Sequence, residues 1–138
     1  MKKFEIFEHT ADIGIVAYGV DLKEVFNNAA YGMFSLITDL NKVTKDVKIN
    51  VRVMGRNLSE LLVTWLSELL YYHAVEDIFF VDFKIKTLNE RSIQAIAYGE
   101  EYNPDRHEIM REIKIVTYHE LKIEHENKRW KAQIIFDV

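Results

Sequence analysis

"DLKEVFNNAAYGMFSLI" (residues 21–37) decides the fold class. Leu22, Val25, Phe26, Ala29, Ala30, Met33, Phe34 and Ile37 recur at helical spacing, so the stretch predicts an amphipathic α-helix. Asp21 stands ahead of it as an N-cap, and Glu24, three residues on, can reach back to the exposed N–H groups. "NLSELLVTWLSELLYYH" (57–73) repeats the design, with Asn57 and Glu60 at its start and Leu58, Leu61, Leu62, Trp65, Leu66, Leu69 and Leu70 on its stripe. Gly32 inside the first helix costs stability, which points to a close contact there. His73 ends the second, where a protonated imidazole would complement the helix dipole.

Outward from the helices the chain reads as strands. "VKINVRV" alternates with Val47, Ile49, Val51 and Val53 on one face. "VDFKIKTL" and "SIQAIAYG" do likewise and are joined by Asn89-Glu90-Arg91 as a hairpin. The final 27-odd residues, "EIKIVTYHELKIEHENKRWKAQIIFDV", read as two or three strands turning near Glu126-Asn127-Lys128. "EEYNPDRHEIM", with Pro104, reads as a loop. Helices and strands do not alternate as βαβ units. The expectation is α+β: two amphipathic helices packed on mostly antiparallel sheet, in a single domain over 1–138 with Trp65 and Trp130 in the core.

Composition bounds the function. The chain has 138 residues, no cysteine and a formal net charge of −4. Disulfides and thiolate metal sites are excluded. No leader and no membrane-spanning run are read, and a cytoplasmic location is expected. An acidic balance argues against strong direct nucleic-acid binding and favours a protein partner or a cation. No phosphate-binding glycine loop, GxSxG or HExxH motif occurs. Ser35, Ser59, Ser67 and Ser92 lie on predicted helices or at a strand start, away from any nucleophile context.

The polar residues that stand out are His9, Thr10 and Asp12, which interrupt an otherwise regular strand in "FEHTADIGIVAYG" (7–19), and Asp137 with the Val138 carboxylate at the end of "IIFDV". The plain readings are a turn, with Asp12 accepting local N–H groups, and a frayed end. Yet an apolar strand running up to Asp137 argues that this end is held. Carboxylates brought together there would repel unless a cation sat among them, and all-oxygen ligands suit Ca²⁺ or Mg²⁺. Sequence does not place Asp12 beside Asp137. In "IVTYH", Lys114 reads as a strand lysine on one face and His119 as a sheet histidine on the other. His107 and His125 show no metal-ligand spacing.

Taken together, "HTADIGI" (9–15), "DLKEVFNNAAYGMFSLITD" (21–39), "GRNLSELLVTWLSELLY" (55–71), "AYGEEYNPDRHE" (97–108), "EIKIVTYHELKI" (112–123) and "WKAQIIFDV" (130–138) resemble the archease family, in order and over nearly the whole length. The family often has alanine where this chain has Ile115, a change within a strand. The resemblance implies an α+β accessory protein, not itself an enzyme, in tRNA splicing. Its partner would be an RtcB-type RNA ligase, which joins tRNA halves. The accessory protein would promote GMP transfer from GTP to the ligase's active-site histidine, allow multiple turnover and broaden nucleotide use. Contact with tRNA and GTP would be indirect, through the ligase. By motif position, Asp12, Asp137 and Val138 would hold a divalent cation, Ca²⁺ or Mg²⁺, and Asp12, Lys114 and Asp137 would serve partner activation. His9 and His119 are candidate supporting residues. Two other classes compete: a metal-dependent phosphohydrolase using the same carboxylates, and a chaperone-like interaction module for RNA-processing proteins.

Overall fold

The computed structural model describes residues 2–9 and 11–138, and for His9 the backbone alone. Both helices form where the periodicity places them, α1 over Leu22–Ile37 and α2 over Leu58–Glu76. The Asp21 carboxylate accepts the Glu24 N–H at 2.9 Å, and the Asn57 side-chain oxygen accepts the Glu60 N–H at 2.9 Å. Glu60 does reach back, taking the Arg56 N–H at 3.2 Å and its Nε–H at 3.0 Å. α2 continues past His73 and stops at Asp77, in the left-handed region with φ 56°. His73 thus lies in the last turn of the helix, where its carbonyl accepts the Asp77 N–H at 3.1 Å. Burial is the largest influence on it and lowers its pKa, and its Nδ1 lies 3.1 Å from the Ile78 carbonyl oxygen.

Two antiparallel sheets share these helices. One has the order β1 (Phe4–His9), β2 (Asp12–Gly19), β8 (Arg129–Asp137), with β6 (Ile115–Val116) and β7 (Lys122–Glu126) both on the far edge of β8. The other is β3 (Val47–Met54), β5 (Ser92–Glu101), β4 (Ile78–Leu88). The β4–β5 hairpin turns at Asn89, whose Oδ1 accepts the N–H groups of Arg91 and Ser92 at 2.8 and 3.0 Å. The β7–β8 turn uses Asn127 and Lys128, both at positive φ (53° and 64°), the geometry that suits the right-handed twist of a hairpin.

On the inner face of the first sheet Ile13, Ile15 and Ala17 oppose Phe136, Ile134 and Ala132, and all six are buried. α1 lies against that face and also against β4, while α2 packs on the second sheet and on β6 and β7. The close contact expected at Gly32 is there: a Cβ would stand 3.0 Å from Ile15 and 3.2 Å from Phe4. Trp65 is fully buried between the helices, its Nε1–H donating to the Phe26 carbonyl at 3.1 Å. Side chains of this size each stabilise the fold by roughly 1.5–3 kcal/mol or more when removed from water. Trp130 is only half-buried, with the His125 ring stacked on it at 4.5 Å.

Two further expectations need correction. "FEHTADIGIVAYG" is not one interrupted strand but the β1–β2 hairpin, with His9 and Asp12 as its closing pair; Thr10 lies outside the described residues. The turn lacks the Asn-Gly signature that marks tight hairpins, so the alternation on either side read as continuous. The second correction is Lys114, which precedes a strand of only two residues. β6 pairs with the end of β8 and β7 with its beginning, so the segment follows a single edge with a turn between, closed by the Leu121 N–H on the Tyr118 carbonyl at 3.1 Å. An edge broken in this way is a poor template for further strand addition.

Candidate functional site

β2 starts at Asp12 and β8 ends at Asp137, and the antiparallel register makes them direct cross-strand partners. Side chains alternate along a strand, so fixing Ile13 and Phe136 in the core turns Asp12 and Asp137 to the opposite, outer face. Directly opposed residues bring their Cβ atoms to roughly 4.5–5.5 Å, close enough that two carboxylates there act on one another. Both residues are half-buried. The next outer-face pair is Gly14 and Ile135; the Phe7 ring lies over Gly14, where a Cβ would come within 2.3 Å of it. Ile135 is fully buried although it faces outward.

The end of β8 is held from both sides. Asp137 pairs with Asp12 across one edge and with Ile115 across the other. The Lys114 N–H donates to the Asp137 carbonyl at 2.8 Å. Thr117 donates twice to the Ile135 carbonyl, through its N–H at 3.1 Å and its hydroxyl at 2.8 Å. This is no frayed end. Val138 follows at 40 % exposure. Three of the residues singled out in the sequence, Asp12, Lys114 and Asp137, thus meet at one end of one sheet, and Val138 adjoins them. His9 is placed there by its backbone pairing with Asp12. His119 lies outside this row, in the turn after β6, with its ring 4.0 Å from the Glu120 carboxylate.

Among the described side chains at this end, Asp12 and Asp137 offer carboxylate oxygens, and Val138 adds main-chain oxygen. Among the described residues no three His, Cys, Asp or Glu side chains cluster as a metal site. A cation held here would take a main-chain oxygen of Val138 as its third protein group and complete its shell with water. Hard ions such as Ca²⁺ and Mg²⁺ accept that donor set.

Sequence reasoning missed the group that fixes the approach to Lys114. Glu100, at the end of β5, is buried with His107 and is covered by the more exposed Arg106 across the Pro104 turn. His107 Nδ1 accepts the Asn103 N–H at 2.9 Å, so the proton sits on Nε2, which lies 2.9 Å from Glu100 Oε1 and 3.0 Å from the Lys42 carbonyl. Arg106 donates to both Glu100 oxygens and, at 2.8 Å, to the Lys42 carbonyl. Burial alone would push the Glu100 carboxyl up; the Thr44 N–H at 3.0 Å, Arg106 and His107 outweigh it and bring its pKa to about 2. Further bonds pin the loop, from Thr38 Oγ1 to the Glu108 carbonyl at 2.8 Å and from the Met110 N–H to the Ile37 carbonyl at 2.7 Å. Buried Ile113 then delivers Lys114 to the end of β8. The only sequence signal was a Glu, an Arg and a His flanking one proline, which is too common to read as a cluster.

Residues 4–138 match the model of the Archease protein family (MTH1598/TM1083). A protein archease of Methanosarcina acetivorans is 46% identical over 141 residues, covering 99% of this chain and 97% of that protein. One of Pyrococcus furiosus is 42% identical, with 100% of each chain covered. Among solved structures, protein 1598 of Methanobacterium thermoautotrophicum superposes with a TM-score of 0.86 at 40% identity over the full length of both chains. A Thermotoga maritima protein described as an archease and possible chaperone has a TM-score of 0.65 at 19% identity, over 96% of this chain and 94% of that one, a likeness of fold.

Proposed function

The chain belongs to the archease family, and from that premise we propose that it is a non-enzymatic activator of an RtcB-type RNA ligase in tRNA splicing. Its working part is the end of the first sheet. Asp12, Asp137 and Val138 hold a hard divalent cation, and Lys114 stands beside them to contact a phosphate or a carboxylate of the ligase. The observation that carries this reading is the cross-strand pairing of Asp12 with Asp137 at a sheet end held by the Lys114 N–H. Two carboxylates opposed at one sheet end make an oxygen-rich surface that a cation or a basic group of a partner can engage.

Transfer of GMP from GTP to a histidine builds charge on phosphate oxygens, which a divalent cation can neutralise. The chain's own residues would keep the carboxylates fixed and outward: Phe136 and Ile13 anchor the strands, and Lys114 and Thr117 clamp β8. The test mixes this protein with the ligase, limiting divalent metal and labelled GTP, and follows ligase–GMP formation. Faster guanylylation with wild type, lost in Asp12→Ala, supports the reading. Equal stimulation by wild type and Asp12→Ala contradicts it, and phosphohydrolase turnover by the isolated protein would replace it with an enzymatic role.

A further inference from the structure

A groove of about 300 Å³ runs beside the acidic end, between α2 and the segment that carries β6. Ser67, Leu70, Tyr71 and Ala74 form its helical wall, and Ile113 to Val116 form the other. Tyr71 is 56% exposed and Ile115 57% exposed, though both are large apolar side chains. Val75, one helical turn beyond Tyr71, and Tyr118, past the end of β6, are exposed as well. Exposed apolar surface gathered in one place marks an interaction site more often than isolated exposed residues do. The single charged residue in the lining is Lys114.

We propose that this groove is the anchoring surface for the ligase: it takes an apolar segment of that partner whose one carboxylate pairs with Lys114. The inference rests on the function proposed above and deepens it. Two observations select the occupant. The groove is continuous with the acidic end, because Ile115 is the cross-strand partner of Asp137 and the Lys114 N–H is bonded to the Asp137 carbonyl. A protein partner that engages Asp12 and Asp137 is therefore within reach of the groove. The lining is apolar around one ammonium group, and the complement of that pattern is aliphatic or aromatic side chains around one carboxylate. A small charged patch alone holds a partner weakly and loses it as salt rises. Apolar burial next to it supplies binding that salt does not screen.

The division of labour is testable in the intact protein. Tyr71→Ser and Ile115→Ser alter exposed side chains and leave the core untouched, and Ala74→Arg fills the groove from an exposed helical position. Val20→Ser, equally exposed at the opposite end of β2, is the control. Binding to the ligase is measured by calorimetry, and guanylylation is titrated with each variant. We expect the groove variants to raise Kd about tenfold or more, as loss of an aromatic anchor does, with the guanylylation plateau recovered at high concentration. Asp137→Ala should do the reverse, losing the plateau while still binding. Groove variants that bind as wild type does overturn the proposal and leave the acidic site standing. No binding or stimulation by wild type overturns both. A dimer in solution that Ala74→Arg dissociates, with ligase binding unchanged, makes the groove a contact between two copies instead and also overturns it.

Discussion

Glu100 and Asp137 are two partly or fully buried carboxylates on the two sheets of one fold, and they are treated in opposite ways. Glu100 is surrounded by donors: the Thr44 N–H, Arg106 and His107. Asp137 is set across from another acid, Asp12. The first arrangement is what folding favours, since buried charge is tolerated when paired and hydrogen-bonded. The second sets two acids directly opposite one another on the outer face of a sheet end, where a cation or a partner can reach them. The comparison separates a carboxylate that holds a loop from two that the proposed function assigns to a cation and a partner.

Substitutions should break this contrast in order of size. The largest effect belongs to the acidic end: Asp12→Ala or Lys114→Ala should lower ligase guanylylation by roughly 100-fold while circular dichroism and Tm stay near wild type, the scale expected when a group stabilising transition-state charge is removed. Glu100→Ala should do the opposite. It strands the donors of Arg106, His107 and Thr44 and should cost roughly 2–4 kcal/mol in denaturant unfolding, with activation at low temperature largely kept.

Acid should single out the same carboxylate. Its folded pKa of about 2 lies below the ordinary 4.5. The unfolded chain therefore takes up the proton first, and the stability Glu100 contributes is complete above pH 4.5 and lost as pH falls toward 2. A Glu100→Gln chain should show a flatter stability profile across that range than wild type in chemical unfolding. The smallest effect sharpens the contrast most. In chelator, Asp137→Asn should be as stable as wild type or more so, by about 0.2–1 kcal/mol, because it removes one of two opposed charges. Added Ca²⁺ or Mg²⁺ should raise the Tm of wild type by mass action and leave Asp137→Asn unmoved.

What the sequence disclosed divides along the same line as the chemistry. Helical periodicity and the Asp21 and Asn57 caps located both helices, because those signals act within a few residues. Gly32 announced a close approach, and Ile15 and Phe4 provide it. The turns at 89–91 and 127–128 were legible for the same local reason. The pairing of Asp12 with Asp137 was not, since register between strands 125 residues apart is set by the alternation of the whole core. The β1–β2 hairpin was hidden by a turn without glycine or asparagine at its centre. Lys114 looked like a strand residue because "EIKIVTY" alternates, yet β7 already occupies most of the available edge of β8. The Glu100–Arg106–His107 cluster depends on a loop closing on itself and on the carbonyl of Lys42, which no spacing reveals.

The most direct test is the rate of ligase–GMP formation with Asp137→Asn, a variant that keeps the shape of the residue and should keep the stability of the fold. The expected result is guanylylation no faster than with ligase alone, from a protein whose Tm equals or exceeds that of wild type. Full stimulation by the folded variant would show that the paired carboxylates are not the working end of the molecule.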